Sequence, residues 1–306
     1  MKTYLECIPC FFKQGIESAK ILGADKAAQK QIVDEISRAI PLFPLTSSPP
    51  EMGKIVHDII KKTLKTGDPY KKLKEDSNRL VLSIYKKLEQ KVANSKDRLL
   101  TGLELSIAGN IIDYGANHGV SVEKEVFKIL EKESAMLNKR YFHYGAFKKK
   151  LEKANLILFI GDNAGEIVFD RILVEEIKTL YPDKRLVYAV REKPVINDVT
   201  TEDALSVGMN KTADIVSSGS DIPGTLLSRC SKEFISLFHS ADMIISKGQG
   251  NFETLSDVNG TVPLFFLLTV KCPVVGDKLD AKTGDIILKN ALEIKREDKN
   301  GNQGNF

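Results

Sequence analysis

The stretch that most constrains this chain is Asn155-Leu156-Ile157-Leu158-Phe159-Ile160-Gly161-Asp162-Asn163-Ala164-Gly165-Glu166. An apolar run of strand length stops in a polar turn framed by two glycines, and an apolar stretch of helix length continues from Ile167 to about Leu180. Strand, tight turn and helix are the front half of a βαβ unit. Open parallel sheets bind ligands at the carboxyl ends of their strands. A strand that finishes in Asp-Asn-x-Gly-Glu therefore carries oxygen ligands to the place where such folds do chemistry.

The alternation continues to the C-terminal side. Strands are expected at Leu156–Ile160, Leu186–Val190, Asp214–Val216 and Met243–Ile245, with a further one at Pro263–Val270 or Val274–Val275. Helical stretches fall at about 167–180, 200–207, 225–239 and 251–258. This pattern predicts an α/β fold, a parallel sheet with helices on both faces. Residues 1 to about 150 read differently. Apolar residues recur at helical spacing over Phe11–Leu22, Lys26–Ile40, Glu51–Lys65, Lys71–Val92, Leu100–Ile112 and Val122–Met136. The expected organisation is a helical N-terminal cap over 1–150, an α/β domain over 151–292 and a fraying, charged and Gly/Asn-rich tail over 293–306.

Composition serves mainly to exclude. Of 306 residues, 45 are basic and 41 acidic, a net charge of +4 too even to argue for a nucleic acid polymer as partner. No apolar run is long enough to span a bilayer, and the first residues lack the apolar core of a signal peptide, so a cytoplasmic protein without a membrane partner is expected. Nothing in the sequence sets an oligomeric state. Four cysteines, Cys7, Cys10, Cys230 and Cys272, do not make a disulfide scaffold in a chain this long.

The residues that end the strands carry the chemistry. The first strand ends in Asp162-Asn163 and the second in Arg191, with Asn197-Asp198 just beyond. The third ends in Ser217-Ser218-Gly219, and the fourth in Ser246-Lys247-Gly248-Gln249-Gly250-Asn251. Carboxylate and amide oxygens suit a hard divalent metal, while Arg, Lys and exposed N–H groups at Gly-rich helix starts suit phosphate. Metal plus phosphate is the joint reading. Each residue alone has a plainer one. Asp162 reads as a helix cap with Glu166 near the capping-box position. Asp198 reads as a turn residue, and Arg191 as a salt-bridge partner of Glu192 or Asp221. Asn110, in an apolar helical stretch, needs a partner or points into the site.

Familiar phosphate signatures are absent: no P-loop, no full dinucleotide fingerprint, and no Asp-x-Asp pair, since Asp162 is followed by Asn163-Ala164. Cys7-Ile8-Pro9-Cys10 stands apart. As a zinc site it needs two further ligands. As a redox pair it lacks the usual βαβ setting. Two buried cysteines at a helix start are the plain alternative.

Together, Gly161-Asp-Asn-Ala-Gly-Glu166, Asn197-Asp198 and Lys247-Gly-Gln-Gly-Asn-Phe-Glu253 resemble the DUF89 family, the metal-dependent damage-control phosphatases. Cys7-x-x-Cys10 and Ala108-Gly-Asn-Ile-Ile-Asp113 resemble its archaeal and bacterial branch. The resemblance covers Cys7 to about Pro273. It implies a Rossmann-like three-layer α/β/α domain after a helical part, and a divalent metal (Mn²⁺, Ni²⁺, Co²⁺ or Mg²⁺) on Asp162, Asn163 and Asp198. The implied activity is hydrolysis of small phosphorylated metabolites, among them sugar phosphates and damaged nucleotides. On this reading Lys247 and Arg191 neutralise the phosphoryl oxygens, and Asp162 or Glu166 orients water. Asn110, Ser217, Gly248, Gly250 and Asn251 line the substrate site, and Cys7 and Cys10 serve a redox or second-metal role. The contrasting reading is a binding or redox-regulatory protein that captures a phosphometabolite without turnover.

Overall fold

The computed structural model describes residues 1–109, 140–258, 260 and 262–294. Asn110, the helix expected over Val122–Met136 and the tail beyond residue 294 lie outside the described residues.

The chain begins with three helices that share one apolar cluster: α1 (Cys7–Ile21), α2 (Lys26–Ala39) and α3 (Pro49–Leu64). Their starts are set locally. Asp25 accepts from the N–H of Ala28 at 2.7 Å, and α3 opens with Pro49-Pro50 inside a Ser48/Glu51 capping box. Next come α4 (Lys71–Leu82), α5 (Tyr85–Ala93), α6 (Arg98–Ala108) and α7 (Tyr144–Lys153). The single helix expected over Lys71–Val92 is thus two. Ser83 turns its hydroxyl back onto the carbonyl of Leu80 at 2.6 Å, and Ile84 leaves helical geometry at ψ 2°. The apolar period crosses this break because Val81, Ile84, Tyr85 and Leu88 all enter the same core.

Among the described residues six strands build one sheet: β1 (Leu156–Ile160), β2 (Arg185–Val190), β3 (Asp214–Ser217), β4 (Met243–Lys247), β5 (Leu264–Thr269) and β6 (Ile286–Asn290). Their spatial order is β3-β2-β1-β4-β5-β6. All pairs are parallel except β5 with β6. Interleaved are α8 (Glu166–Leu180), α9 (Thr201–Ser206), α10 (Lys232–Ser240), α11 (Gln249–Leu255) and α12 (Pro273–Leu279). Of the two alternatives for the fifth strand, Pro263–Val270 holds as β5 and the other does not. Val274–Val275 belong to α12, which Pro273 starts at its first position. The antiparallel edge strand β6 was not anticipated; its signal is the short apolar run Ile286-Ile287-Leu288 after the turn at Gly284. The stretch at 225–239 divides into a short 3₁₀ turn and α10, which Ser231 caps by accepting from Phe234 N–H at 3.1 Å.

Both sheet faces are covered. Ile157 and Phe159 of β1 point into a core built with α4, α5, α6 and α8. Leu158 and Ile160 point into the opposite core, with α10, α11 and α12. That alternation is the strand period of two, expressed as two cores. It makes the fold a mixed α/β, three-layer arrangement with a helical N-terminal region.

One buried group in the helical half has a pH consequence. His57 of α3 is buried with its Nδ1 2.6 Å from the Tyr70 hydroxyl. Burial first, and Lys61 second, push its pKa down to about 3. The unfolded chain takes up a proton near the ordinary value while the folded chain does not, so stability is full above pH 6.5 and falls toward pH 3. The expected slope from this group is up to about 1.4 kcal/mol per pH unit. Urea midpoints at pH 7 and pH 4 should differ less in His57→Gln than in the native chain; an unchanged difference would remove His57 as the cause.

Candidate functional site

From β1 the chain proceeds to β2 and β3 on one side, and from β4 to β5 and β6 on the other. The carboxyl ends of β1 and β4 therefore flank the point where the order of the sheet reverses, and connections leaving in opposite directions open a crevice there. Asp162-Asn163 leaves β1 and Gly248 follows β4, so both enter this crevice.

Asp162 does not cap the next helix. Gly165, at φ +80°, occupies the position before Glu166 and no side chain caps α8. Asp162 instead lies buried against Gly248, and a β-carbon on Gly248 would come within 1.9 Å of its carboxylate. With φ at +76°, only glycine suits that position. Asn163 donates its amide to Asp162 at 2.7 Å and to Glu166 at 3.3 Å. Its backbone bridges to Asp198, which draws the second aspartate in. The turn is held from both sides: Asn78 of α4 accepts from Gly165 N–H at 2.6 Å, and Asn197 carbonyl accepts from Ala164 N–H at 2.9 Å.

Two buried cations organise these acids. Arg191, at 1% exposure, donates to Asp198 at 2.7 Å, Thr225 at 2.8 Å and Asn251 at 3.0 Å. Its partner is thus Asp198, rather than the Glu192 or Asp221 that its sequence neighbourhood offers. Asn251 passes its own amide N–H to the carbonyls of Gly161 at 3.0 Å and Lys247 at 2.7 Å, so it pins the ends of β1 and β4 together. Lys247 is fully buried and donates to Glu166, to Asp170 at 2.7 Å and to the Ser106 carbonyl at 2.7 Å. An ammonium has three donors, and all three are engaged inside the protein. In this arrangement Lys247 is a counter-ion for two acids of α8.

The remaining residues sort by position. Gly250 lies within α11, its carbonyl accepting from Thr254 at 3.1 Å. Gly248 donates its N–H to Leu267 at 3.0 Å as part of the sheet. Ser217 ends β3 and donates to Glu192, a separate contact from the Asp162 group. Asn110 is outside the described residues. Several partners escaped the sequence reading. Asp170 was visible only as a charge inside the apolar run Ile167-Val168-Phe169, one turn beyond Glu166. Its other oxygen accepts from Tyr188 at 2.8 Å and it is also held by Ser106 at 2.7 Å. Ser106, Asn78 and Thr225 carry no sequence signal of this kind.

The electrostatics express crowding. Burial, then Glu166 and Asp198, push the Asp162 carboxyl well above the ordinary range, and Lys271 and Arg191 act in the other direction. Burial likewise raises Asp198 against the pull of Arg191. Burial brings Asp170 up to about 6 despite Lys247. A hard divalent cation fits this donor set: two aspartates, and an asparagine whose amide N–H is committed and whose oxygen remains to be offered.

Removing the buried ammonium leaves Glu166 and Asp170 facing each other in the core. Lys247→Met should therefore cost about 3–5 kcal/mol of folding stability, read as a lowered urea midpoint. A change below about 1 kcal/mol would mean that the triad contributes little.

Comparison with known proteins agrees with this geometry. The family model described as "Damage-control phosphatase ARMT1-like domain" matches residues 3–287. An uncharacterized protein of Methanocaldococcus jannaschii is 37% identical, covering 94% of this chain and 95% of its own. Damage-control phosphatases of Pyrococcus horikoshii and Archaeoglobus fulgidus are each 30% identical, over 96% and 94% of this chain and 100% and 99% of theirs. The crystal structure of a DUF89 family protein from P. horikoshii superposes with a TM-score of 0.84 at 30% identity, covering 95% of this chain and 99% of that one. The chain belongs to the damage-control phosphatase ARMT1-like, or DUF89, family.

Proposed function

We propose that this chain is a metal-dependent phosphatase acting on small phosphate monoesters, damaged or side-product metabolites such as sugar phosphates or nucleotides. The observation that carries this is the charge count at the switch point. Four buried carboxylates, Asp162, Glu166, Asp170 and Asp198, surround two buried cations, Lys247 and Arg191. The surplus of negative charge is what a divalent cation would neutralise, and it is strongest at Asp162. Relatives named damage-control phosphatases support the reaction class.

Asp162, Asn163 and Asp198 would hold the metal, of the Mn²⁺, Ni²⁺, Co²⁺ or Mg²⁺ kind. Bound there, it would supply Lewis-acid polarisation of the phosphoryl group. The protein's own residues do the rest. Arg191 fixes the Asp198 carboxylate, and Lys247 with Asn163 fixes Glu166 beside Asp162, so the oxygens are preorganised. Glu166 and Asp162 are the two groups placed to orient a water for in-line attack. On this reading Lys271 adds positive charge on the substrate side of the acids. It stands exposed just beyond β5 and its field already reaches Asp162.

Phosphate release from a panel of sugar phosphates, nucleotides and p-nitrophenyl phosphate, after chelation and re-addition of single metals, tests the reading. Metal should restore release, and Asp162→Ala should lower it at least about a hundredfold. Lys271→Ala should raise KM more than it lowers kcat, as loss of a ground-state contact does. Saturable, metal-dependent binding of a phosphate ester without release would favour a binding protein instead.

A further inference from the structure

The Cys7-x-x-Cys10 motif opens α1 with Cys7 half-buried and Cys10 exposed rather than buried. No third His, Cys, Asp or Glu among the described residues joins them to make a metal site. The backbone turn that delivers Asp198 carries more. Asp198 N–H donates to the Val195 carbonyl at 3.1 Å, which closes a β-turn over Val195-Ile196-Asn197-Asp198. Ile196 is at φ +46°, and Asn197 is not at positive φ. Positive φ at the first central residue alone is the pattern of a type II′ turn, where that place ordinarily belongs to glycine. Lys65 and Asp280, the other described non-glycine residues at positive φ, each end a helix in the left-handed conformation common there. Ile196 has no such setting, and its β-branched side chain makes it a true outlier. Such a conformation persists only where the surroundings hold it.

The holding contacts surround the turn. Val195 is buried, the Asn197 carbonyl accepts from Ala164 N–H at 2.9 Å, and Arg191 grips the Asp198 carboxylate at 2.7 Å. A further tie comes from the helical half: Lys61 of α3 donates its ammonium to the Pro194 carbonyl, one residue before the turn. Lys54, two helical turns back on the same face of α3, lies 3.5 Å from Asp221 in the loop after β3. A β-carbon on Gly53 would touch Pro223 of that loop at 3.8 Å. Gly224, next in the loop, donates its N–H to Asp198 Oδ2 at 3.4 Å. Helix α3 thus touches both loops that converge on Asp198.

We infer that Lys61 and Ile196 are positioning residues for Asp198. Lys61 holds the Pro194 peptide, Ile196 carries the strain, and Asp198 is fixed where its backbone bridges to Asn163. Relaxation of Ile196 to negative φ would rotate the Ile196–Asn197 peptide, take the Asn197 carbonyl off Ala164 and move Asp198 with it. A residue that resists the conformation makes the turn depend on α3, so the N-terminal helices set the position of an acid in the α/β part.

The consequence for metal binding rests on Asp198 as a ligand, as proposed above; the strain in the turn does not. Urea midpoints of Ile196→Gly and Ile196→Ala test the strain. Glycine in place of alanine ordinarily lowers stability. Here Ile196→Gly should have the higher midpoint, because glycine alone accepts positive φ freely. In a Lys61→Met background, which keeps the apolar stem, that gap should close or reverse. Lys61→Met should also weaken Mn²⁺ binding about tenfold or more, read from the electron paramagnetic resonance of free Mn²⁺. Loss of a lysine's charge acting through space would strengthen cation binding instead, so the sign separates positioning from field. Lys62→Met, exposed on the same helix, should not weaken it. A higher midpoint for Ile196→Ala, an unchanged gap in Lys61→Met, or Mn²⁺ held by Lys61→Met as tightly as by the native chain would each overturn the inference. A native chain that binds no Mn²⁺ would overturn the phosphatase reading alone, and the urea comparison would still decide the turn.

Discussion

The ammonium of Lys247 is the contact on which the rest of the site depends. It joins the end of β4 to two acids of α8 and to the last turn of α6 through the Ser106 carbonyl. A charge this deeply buried is tolerable only when its donors are all engaged. That requirement locks three elements in one arrangement. Glu166 cannot swing away from Asp162 without abandoning the ammonium, and β4 cannot slide past β1 without moving the lysine off its partners. A buried ion pair is a weak source of stability compared with apolar packing, but it specifies geometry closely.

Arg191 does for the other half of the crevice what Lys247 does for the first. Its guanidinium spans Asp198, Thr225 and Asn251, and Asn251 in turn bonds the ends of β1 and β4. The two cations thus lie behind the acids, on the protein side. Asp162 stands between the two groups, and burial with Glu166 and Asp198 beside it raises its carboxyl well above the ordinary range.

How much of this was legible follows from where each signal sits. The strand-turn-helix at 155–180 was readable because burial on both faces leaves a continuous apolar run, and because glycines mark the turn. Asp162, Asn163, Asp198, Arg191 and Asn251 stand out in the sequence because they follow the strands, on the side where such folds bind ligands. Their partners were not found for the same reason in reverse. Asp170, Ser106 and Asn78 lie inside helices, where one polar residue looks like any other until the helices pack. Lys247 marks the end of β4, but its three engaged donors depend on α6 and α8, which are distant in sequence. The break at Ser83–Ile84 and the edge strand β6 escaped because apolar periodicity does not report where a helix bends or whether a short run pairs with an edge.

The helical half is part of the site's framework. Asn78 holds the Gly165 turn, and Ser106 supports both Lys247 and Asp170. Lys74 reaches across to Asp203 at the start of α9 at 3.0 Å, and Asp203 caps that helix through Thr200, whose strand segment bridges to Arg191. The contacts of Asn78, Ser106 and Lys74 run from α4 or α6 into the α/β part. A change in the packing of α6 reaches Asp170 through one hydrogen bond, and one in α4 reaches the acids through the Gly165 turn and the Asp203–Thr200 link. The same elements that cover the sheet's apolar face also set the positions of the acids and cations at its carboxyl ends.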